Sequence, residues 1–314
     1  MTSNNSGGSF LSRILSSTDA FTARKTVTFG DASAVVGSTF WSLFAVFFLL
    51  TMWWASSYFE WTDPIFLPGP GSTYVEFLKV SCLYEKVPDA FLIGPSEEWN
   101  KLFAKGECTG YRNITLGEHL TASFIRIVWG FSLGTLVGVP LGLAMGLSNF
   151  LRGLLDPIVE FFRPIPPLAF IPLVILWFGI GEESKVLLLF LAALWIMAIA
   201  ARSGVLGVKL SKVHAAYSLG ASKFQILRHV ILPNALPDIF VGMRVSLGVC
   251  WGTLVAAEFV GAQEGIGIML WIAQKFFITE IVIIGIVIIG IIAVAMDLMM
   301  RWLEGVLIPW RGKG

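Results

Sequence analysis

Residues 211–233 read SKVHAAYSLGASKFQILRHVILP and separate two apolar runs that are each long enough to cross a lipid bilayer. The stretch is charged, interrupted by glycine and ended by proline. Residues 213–219 predict a short helix, and Gly220 can adopt the left-handed conformation that ends one. Ser222 followed by Gln225 forms a capping box, which predicts the start of a second helix that stops before the terminal proline. We therefore expect two short helices at an angle, facing water between two membrane spans.

The rest of the chain has the composition of a polytopic membrane protein. Of its 314 residues, 56% are apolar and only 14% are charged. A helix needs about 20 apolar residues to span the bilayer core. Runs of this kind predict an all-α protein with six transmembrane helices, at residues 36–58, 122–146, 167–180, 185–205, 239–262 and 279–300. The run at 167–180 is short and opens with prolines, which break a helix interior, so its boundaries are the least defined.

Lysine and arginine in the short connections predict the orientation of these spans. Basic residues are concentrated after the second and fourth spans and in the C-terminal tail, whereas the alternate connections are acidic or nearly neutral. Both termini and the opening stretch should therefore face the cytoplasm. The predicted organisation is a flexible cytoplasmic tail at 1–32, a first span within 33–59, an acidic extracytoplasmic loop at 60–118, a five-span core at 119–305 that contains a cytoplasmic loop at 206–236, and a cytoplasmic tail at 306–314.

The predicted extracytoplasmic loop contains Cys82 and Cys108. An oxidising compartment would allow a disulfide between them, closing a loop of roughly 27 residues and stabilising the fold by about 3 kcal/mol. Two unpaired thiols are the alternative. The whole chain has three cysteines and three histidines, too few and too scattered to predict a metal cluster. Its net charge of +1 gives no indication of a nucleic-acid partner.

Glycines recur at a spacing of four along the second predicted span, at Gly130, Gly134, Gly138, Gly142 and Gly146. This spacing places them on one helical face and allows a neighbouring backbone to approach closely. Packing within the subunit is the first interpretation, and a subunit interface or pathway wall is the other. Residues 130–134 also fit the pattern G-x-S-x-G. No histidine is predicted at membrane depth to activate the serine, so we do not expect a hydrolase.

Ionisable residues near the ends of the spans suggest pairs or a polar pathway. Arg126 and Glu258 are predicted at similar depth near the outer side, while Arg244 and Asp297 lie near the inner side. Arg126 and Glu258 could form a structural ion pair. Alternatively, the guanidinium of Arg126 could bind an anionic substrate group, with Glu258 and the aromatic face of Trp251 available to an ammonium group. These three residues are the candidate translocation pathway.

The loop at 206–236 resembles the cytoplasmic EAA loop of ABC importer permeases. That pattern is E-A-A, then three residues, G, nine residues and I-x-L-P. In this chain the corresponding positions are occupied by His214, Ala215, Ala216, Gly220, Val230, Leu232 and Pro233. Every spacing is kept, and His214 replaces the acidic residue. The resemblance implies that the loop docks into an ATP-hydrolysing subunit. Ser222 would cap the second helix, and Phe224 and Leu227 would supply apolar anchors. An ordinary amphipathic interfacial helix pair is the alternative.

The resemblance covers about residues 115–311, including DPIVEFFRPIPPLAFIPLVILWFGIGEESKVLLL and the closing LIPWRG. The chain resembles the permease subfamily that handles sulfonates such as taurine, and also nitrate, bicarbonate and related small anions. The resemblance implies a type I ABC importer permease fold, in which two copies of the permease form a pore in membrane lipid above two ABC ATPases. A periplasmic binding protein would deliver the substrate.

The phosphate-binding pattern G-x-x-x-x-G-K-[ST] does not occur in the chain. We therefore expect a transport subunit that is not an enzyme and binds no cofactor, with ATP and Mg²⁺ used by the partner ATPase. The expected substrate is a small organic sulfonate, taurine first, with nitrate, bicarbonate or another small carboxylate or anion as alternatives. A secondary transporter or channel is the alternative from another class, and would show inverted repeats or interrupted spans with charges at mid-membrane.

Overall fold

The computed structural model describes residues 38–82, 111 and 114–310, with side chains from residue 43 onward. Its regular elements are helices, apart from an isolated antiparallel bridge between Tyr111 and Ile114 in this part of the chain. The helices are α1 Ser38–Tyr58, α2 Pro70–Ser81, α3 Leu116–Leu147, α4 Asn149–Phe162, α5 Ile171–Phe178, α6 Glu182–Leu206, α7 Leu210–Ser218, α8 Lys223–Ile226, α9 Leu232–Glu258, α10 Ile266–Lys275 and α11 Thr279–Leu307.

The chain divides into two compact units, residues 1–59 and 60–314. The first contains α1, whose described side chains are mostly exposed and apolar. In the second unit, α3, α6, the helical stretch that ends with α9, and α11 are each long and apolar enough to cross a membrane. The bent pair formed by α4 and α5 would bring these to five. The described residues thus confirm a helical protein with several helices that could span a membrane, and do not confirm the count of six.

The glycine face of α3 packs against α6 inside the second unit. A methyl group on Gly138 would lie 2.7 Å from the carbonyl oxygen of Leu194 and 2.8 Å from Cβ of Met197. Real Cβ atoms do not approach other atoms so closely, hence only glycine permits this contact. Packing within the subunit, the first interpretation of the glycine spacing, is confirmed. Close van der Waals contact holds the two helices together where lipid supplies no hydrophobic driving force.

The third predicted span, 167–180, is not one straight helix. A 3-10 turn at Pro167–Phe170 leads into α5, which has only 8 residues and is too short to cross a bilayer alone. The preceding helix α4 meets this segment at an angle of 88°. The prolines at 164, 166 and 167 explain the break, because each lacks a backbone N–H and disfavours a helical conformation in the residue before it.

The predicted loop at 60–118 contains a packed helix. Pro70 occupies the first turn of α2, where a missing N–H is tolerated. Val80 of α2 joins the main hydrophobic core, whose other members come largely from α3, α6, α9, α10 and α11. The hydroxyl of Thr279 also donates a hydrogen bond to the carbonyl oxygen of Ile65. This part of the segment belongs to the helical core because α2 buries one apolar face against it.

Candidate functional site: an exposed loop and a buried polar cluster

The 206–236 segment contains the short first helix, the turn and the helix start that the sequence predicts. The first, α7, ends at Ser218, and Gly220 follows with φ +81° in the left-handed region that favours glycine. The hydroxyl of Ser222 accepts a hydrogen bond from the Gln225 N–H, and the Gln225 side chain accepts one from the Ser222 N–H. This capping box starts α8, so the predicted turn and cap are confirmed.

The second helix does not stop before Pro233. A π-helical turn at Leu227–Ile231 connects α8 directly to α9, and residues 223–258 form one continuous helical stretch of 36 residues. Pro233 lies in the first turn of α9, just after the wider turn. We attribute this continuity to the π turn, since a wider turn relieves the clash between a proline ring and the preceding carbonyl groups. The expectation of a short, separate second helix was therefore wrong.

The 206–236 segment exposes large apolar side chains. Leu219 is 87% exposed and Phe224 is 68% exposed, and Tyr217 is also exposed. His214, Ala215, Gly220 and Ser222 are exposed too, whereas Ala216, Leu227, Leu232 and Pro233 are partly buried. Such apolar groups among polar ones are typical of a surface that a partner or a membrane covers.

A buried polar cluster surrounds Arg126 at the opposite end of α9. The Arg126 side chain is 6% exposed and donates to Oε1 of Glu258 at 2.6 Å and to both carboxylate oxygens of Glu182. It also donates to the carbonyl oxygen of Glu264 at 2.7 Å. Glu258 is fully buried and accepts two further hydrogen bonds, from the Ser123 hydroxyl and the Gly267 N–H. The ion pair between Arg126 and Glu258 is therefore present, with an added partner, Glu182.

The cluster fixes the chain segment that leads into α10. Gly265 has φ +138°, and a methyl group there would lie 2.5 Å from Oε1 of Glu258. The Gly265 N–H donates to Nδ1 of His119, and the Ile266 N–H donates to the Ser123 hydroxyl. Sequence reasoning missed Glu182, Ser123, His119 and Gly265, because the residues that meet at this cluster come from four separate segments.

Trp251 does not join the Arg126 cluster. It packs in the hydrophobic core, and its indole N–H has no hydrogen-bond partner among the residues that the structure describes. The four hydrogen bonds of Arg126 favour the structural interpretation of this residue over a free anion-binding guanidinium. A pathway role for Arg126, Glu258 and Trp251 stays a prediction.

A second charged cluster joins α9 to α11. Arg244 of α9 contacts Asp297 of α11 at 2.7 Å, and Arg301 contacts the same carboxylate at 2.8 Å. The described residues contain no group of three His, Cys, Asp or Glu side chains that could hold a metal ion. Cys108 lies outside the described residues, so its pairing with Cys82 also stays a prediction.

Comparison with known proteins identifies the class to which this helical arrangement belongs. Residues 134–307 match the family described as binding-protein-dependent transport system inner membrane component. Since this match covers more than half of the chain, the chain belongs to that family. It is therefore a membrane transport component of the ABC permease class rather than an enzyme.

Individual relatives indicate the subfamily to which the chain belongs. The chain is 42% identical to the taurine transport system permease protein TauC of Escherichia coli, over 84% of this chain and 87% of that protein. It is 35% identical to the putative aliphatic sulfonates transport permease protein SsuC of the same organism, over 83% of this chain and 88% of that protein. It is 33% identical to the nitrate import permease protein NrtB of a Synechocystis species, over 62% of this chain and 70% of that protein. These relatives place the chain in the sulfonate, taurine and nitrate permease subfamily.

Among solved structures, the MetNI methionine ABC transporter in inward-facing conformations is similar at 23% identity and a TM-score of 0.47, over 67% of this chain and 98% of that chain.

Proposed function

We propose that this chain is the membrane-spanning subunit of an ATP-driven importer for a small organic sulfonate, with taurine as the first candidate. The observation that carries the proposal is the 42% identity to a taurine transport permease over 84% of the chain. The family's dependence on a binding protein implies a separate soluble protein that delivers the substrate. ATPase subunits, which use ATP and Mg²⁺, would supply the energy.

The proposed membrane arrangement follows the distribution of basic residues. The 206–236 segment carries Lys209, Lys212, Lys223 and Arg228, and short basic connections remain on the cytoplasmic side. In the proposed arrangement the exposed loop and both termini lie in the cytoplasm, and the Arg126 cluster lies near the outer side. Counting α1 and the bent pair of α4 and α5 as one span each gives the six spans of the proposed type I arrangement.

The exposed loop is proposed as the docking site for the ATPase. Leu219 and Phe224 are exposed apolar side chains on either side of the turn at Gly220, which suits insertion into a groove of a partner protein. In a homodimer, closure of two ATPases on ATP would draw the two loops together. The attached helices would then rock as rigid bodies and switch access to a central cavity.

Transport by the reconstituted complex tests this function. The permease, its ATPase and the binding protein would be placed in proteoliposomes, and uptake of radiolabelled taurine would be measured with and without ATP. We expect uptake that needs both ATP and the binding protein. Nitrate is the second candidate, supported by the similarity to a nitrate import permease. Tight binding of nitrate and no binding of taurine by the binding protein would overturn the sulfonate assignment.

A substitution in the loop tests the docking role. Gly220→Val forces a β-branched residue into a positive φ, which costs roughly 1–2 kcal/mol even for an ordinary residue. We expect uptake to fall by about tenfold or more, since each 1.4 kcal/mol changes an equilibrium by that factor. Gly207→Val is the matched control, because Gly207 lies in the same segment with φ −72°.

Membrane insertion of both variants would be compared by membrane fractionation. Equal uptake by Gly220→Val and Gly207→Val would contradict a docking role that depends on the left-handed turn. Crosslinking from Phe224→Cys to the ATPase provides an independent readout. A crosslink that forms only with lipid would favour an interfacial helix pair instead.

A further inference from the structure

A cavity of about 370 Å³ lies between α6 and α9, away from the Arg126 cluster. One apolar face of each helix lines it, with Ile196 and Ala200 on α6 and Val241 and Val245 on α9. The remaining lining includes the hydroxyl of Ser203 and two charged groups of opposite sign, Arg163 and Asp238. The volume lies within the range of small-molecule sites, roughly 300–1,000 Å³.

The two charged groups of this cavity are weakly paired within the chain. The Arg163 side chain is 59% exposed, and its nearest carboxylate, that of Glu160, is 3.9 Å away. This is long for an ion pair, whose direct contacts are about 2.7–2.9 Å. Among the described residues, no ion pair or side-chain hydrogen bond is formed by the carboxylate of Asp238, which is exposed.

Two other arginines, Arg202 and Arg244, form close ion pairs with a neighbouring helix. Arg202 contacts Asp156 at 2.7 Å, and Arg244 contacts Asp297 at 2.7 Å. Both pairs hold one helix against another, which is a structural use of charge in a membrane protein. The contrast singles out Arg163 and Asp238 as charges that share a cavity without neutralising each other through a close contact.

The cavity lies at the end of the helices that leads into the 206–236 segment. Ser203 occupies the last turn of α6, and Asp238 lies in the second turn of α9. Val245 is seven residues further along α9, about 10 Å deeper along the helix axis. The polar groups are therefore near the water-accessible end, where charge costs less, and the apolar wall extends toward the middle of the span.

The geometry points to this cavity as a binding site for a small zwitterion on the inner part of the translocation pathway. The guanidinium of Arg163 would bind the sulfonate oxygens, the carboxylate of Asp238 would bind the ammonium group, and the apolar faces would contact the short carbon chain. This inference rests on the proposed function, because it names the residues that contact the substrate of that importer. It places substrate contacts in this cavity rather than at the self-satisfied Arg126 cluster.

A zwitterionic lipid headgroup has the same chemistry, an anionic group near an ammonium. The two sources differ in one measurable respect. A substitution in a substrate site changes the uptake of a solute with an ammonium group relative to one without it. A substitution in a lipid site changes the uptake of all solutes by the same factor.

The test compares taurine with ethanesulfonate, which lacks the ammonium group. Uptake of both would be measured in proteoliposomes of fixed lipid composition that hold the complete complex. We expect Asp238→Asn to lower taurine uptake by at least about fivefold while ethanesulfonate uptake is retained, since only taurine loses a charged hydrogen bond. Arg163→Gln should lower the uptake of both solutes, and Arg163→Lys should restore part of it.

Glu160→Gln is the matched control. It neutralises another exposed carboxylate, one turn from Arg163 and outside the cavity lining. We expect the uptake of taurine and of ethanesulfonate to be unchanged in this variant. ATP hydrolysis stimulated by the liganded binding protein should be retained in all variants, because the docking loop is unchanged.

The wild-type complex separates the two levels of failure. If it transports neither sulfonate, the proposed function fails. If it transports both and Asp238→Asn leaves the ratio of taurine to ethanesulfonate uptake unchanged, the cavity assignment alone is overturned. An equal loss for both solutes in Asp238→Asn would indicate a lipid or structural site and would also overturn it.

Discussion

Replacing Arg126 by glutamine decides between its structural and substrate-binding interpretations. The change removes four hydrogen bonds of 2.5–2.8 Å and leaves the fully buried carboxylate of Glu258 without a counter-charge. Breaking a buried ion pair on one side typically costs about 3–5 kcal/mol. At about 2–4 °C per kcal/mol for a chain of comparable size, the melting temperature should fall by roughly 6–20 °C.

Thermal unfolding of the detergent-purified permease would measure this effect. Glu182→Gln is the control, because it removes the other carboxylate of the same guanidinium. The Glu182 side chain is 60% exposed, and exposed ion pairs contribute only about 0–1 kcal/mol. We therefore expect a melting temperature near that of the wild type. An unchanged melting temperature for Arg126→Gln, together with lost uptake, would refute the structural interpretation and favour a contact with substrate.

Three other predictions concern packing and the covalent structure. Gly138→Ala should destabilise the protein by about 1–3 kcal/mol, because the added methyl overlaps α6. Gly290→Ala in α11 should be nearly neutral in the same unfolding assay, since no atom of the described residues lies within 4 Å of its added methyl, and equal effects would contradict the packing argument. Gly265→Ala should lower the melting temperature and expose α10 to proteolysis, because the methyl overlaps the Glu258 carboxylate. Unchanged protease resistance would contradict the inference that the polar cluster fixes the segment leading into α10. Mass spectrometry of the non-reduced protein should find a peptide linking Cys82 to Cys108, and two alkylated thiols would exclude the bond.

Local signals in the sequence predicted the local structure well. The capping box at Ser222 and the turn at Gly220 depend only on neighbouring residues, and both are present. A second capping box, Thr115 with Glu118, was missed although its spacing is visible in the sequence, so α3 starts at Leu116 rather than at residue 122. The end of α8 was predicted wrongly because proline was taken as a stop signal, whereas a π turn accommodates it.

The polar cluster could be predicted only in part. Arg126 and Glu258 were paired from their similar depth, which the span boundaries supply. Glu182 was placed in an acidic connection, and nothing local indicates that the start of α6 approaches Arg126. The Ser123 hydroxyl and the backbone N–H groups of Gly265 and Gly267 contribute through tertiary approach. Such contacts depend on how α3, α6 and α9 pack together, and periodicity does not report this.

The unbroken run from Lys223 to Glu258 has a mechanical consequence. A helix of 36 residues is about 54 Å long, so it reaches from the loop proposed to meet the ATPase to the ion pair between Arg126 and Glu258 at its other end. A tilt of about 5° applied at one end would carry the other end sideways by about 4–5 Å if the rod stays stiff. Movement of the proposed docking loop could then reach the region of this ion pair through a single helix, with no relay of intermediate loops.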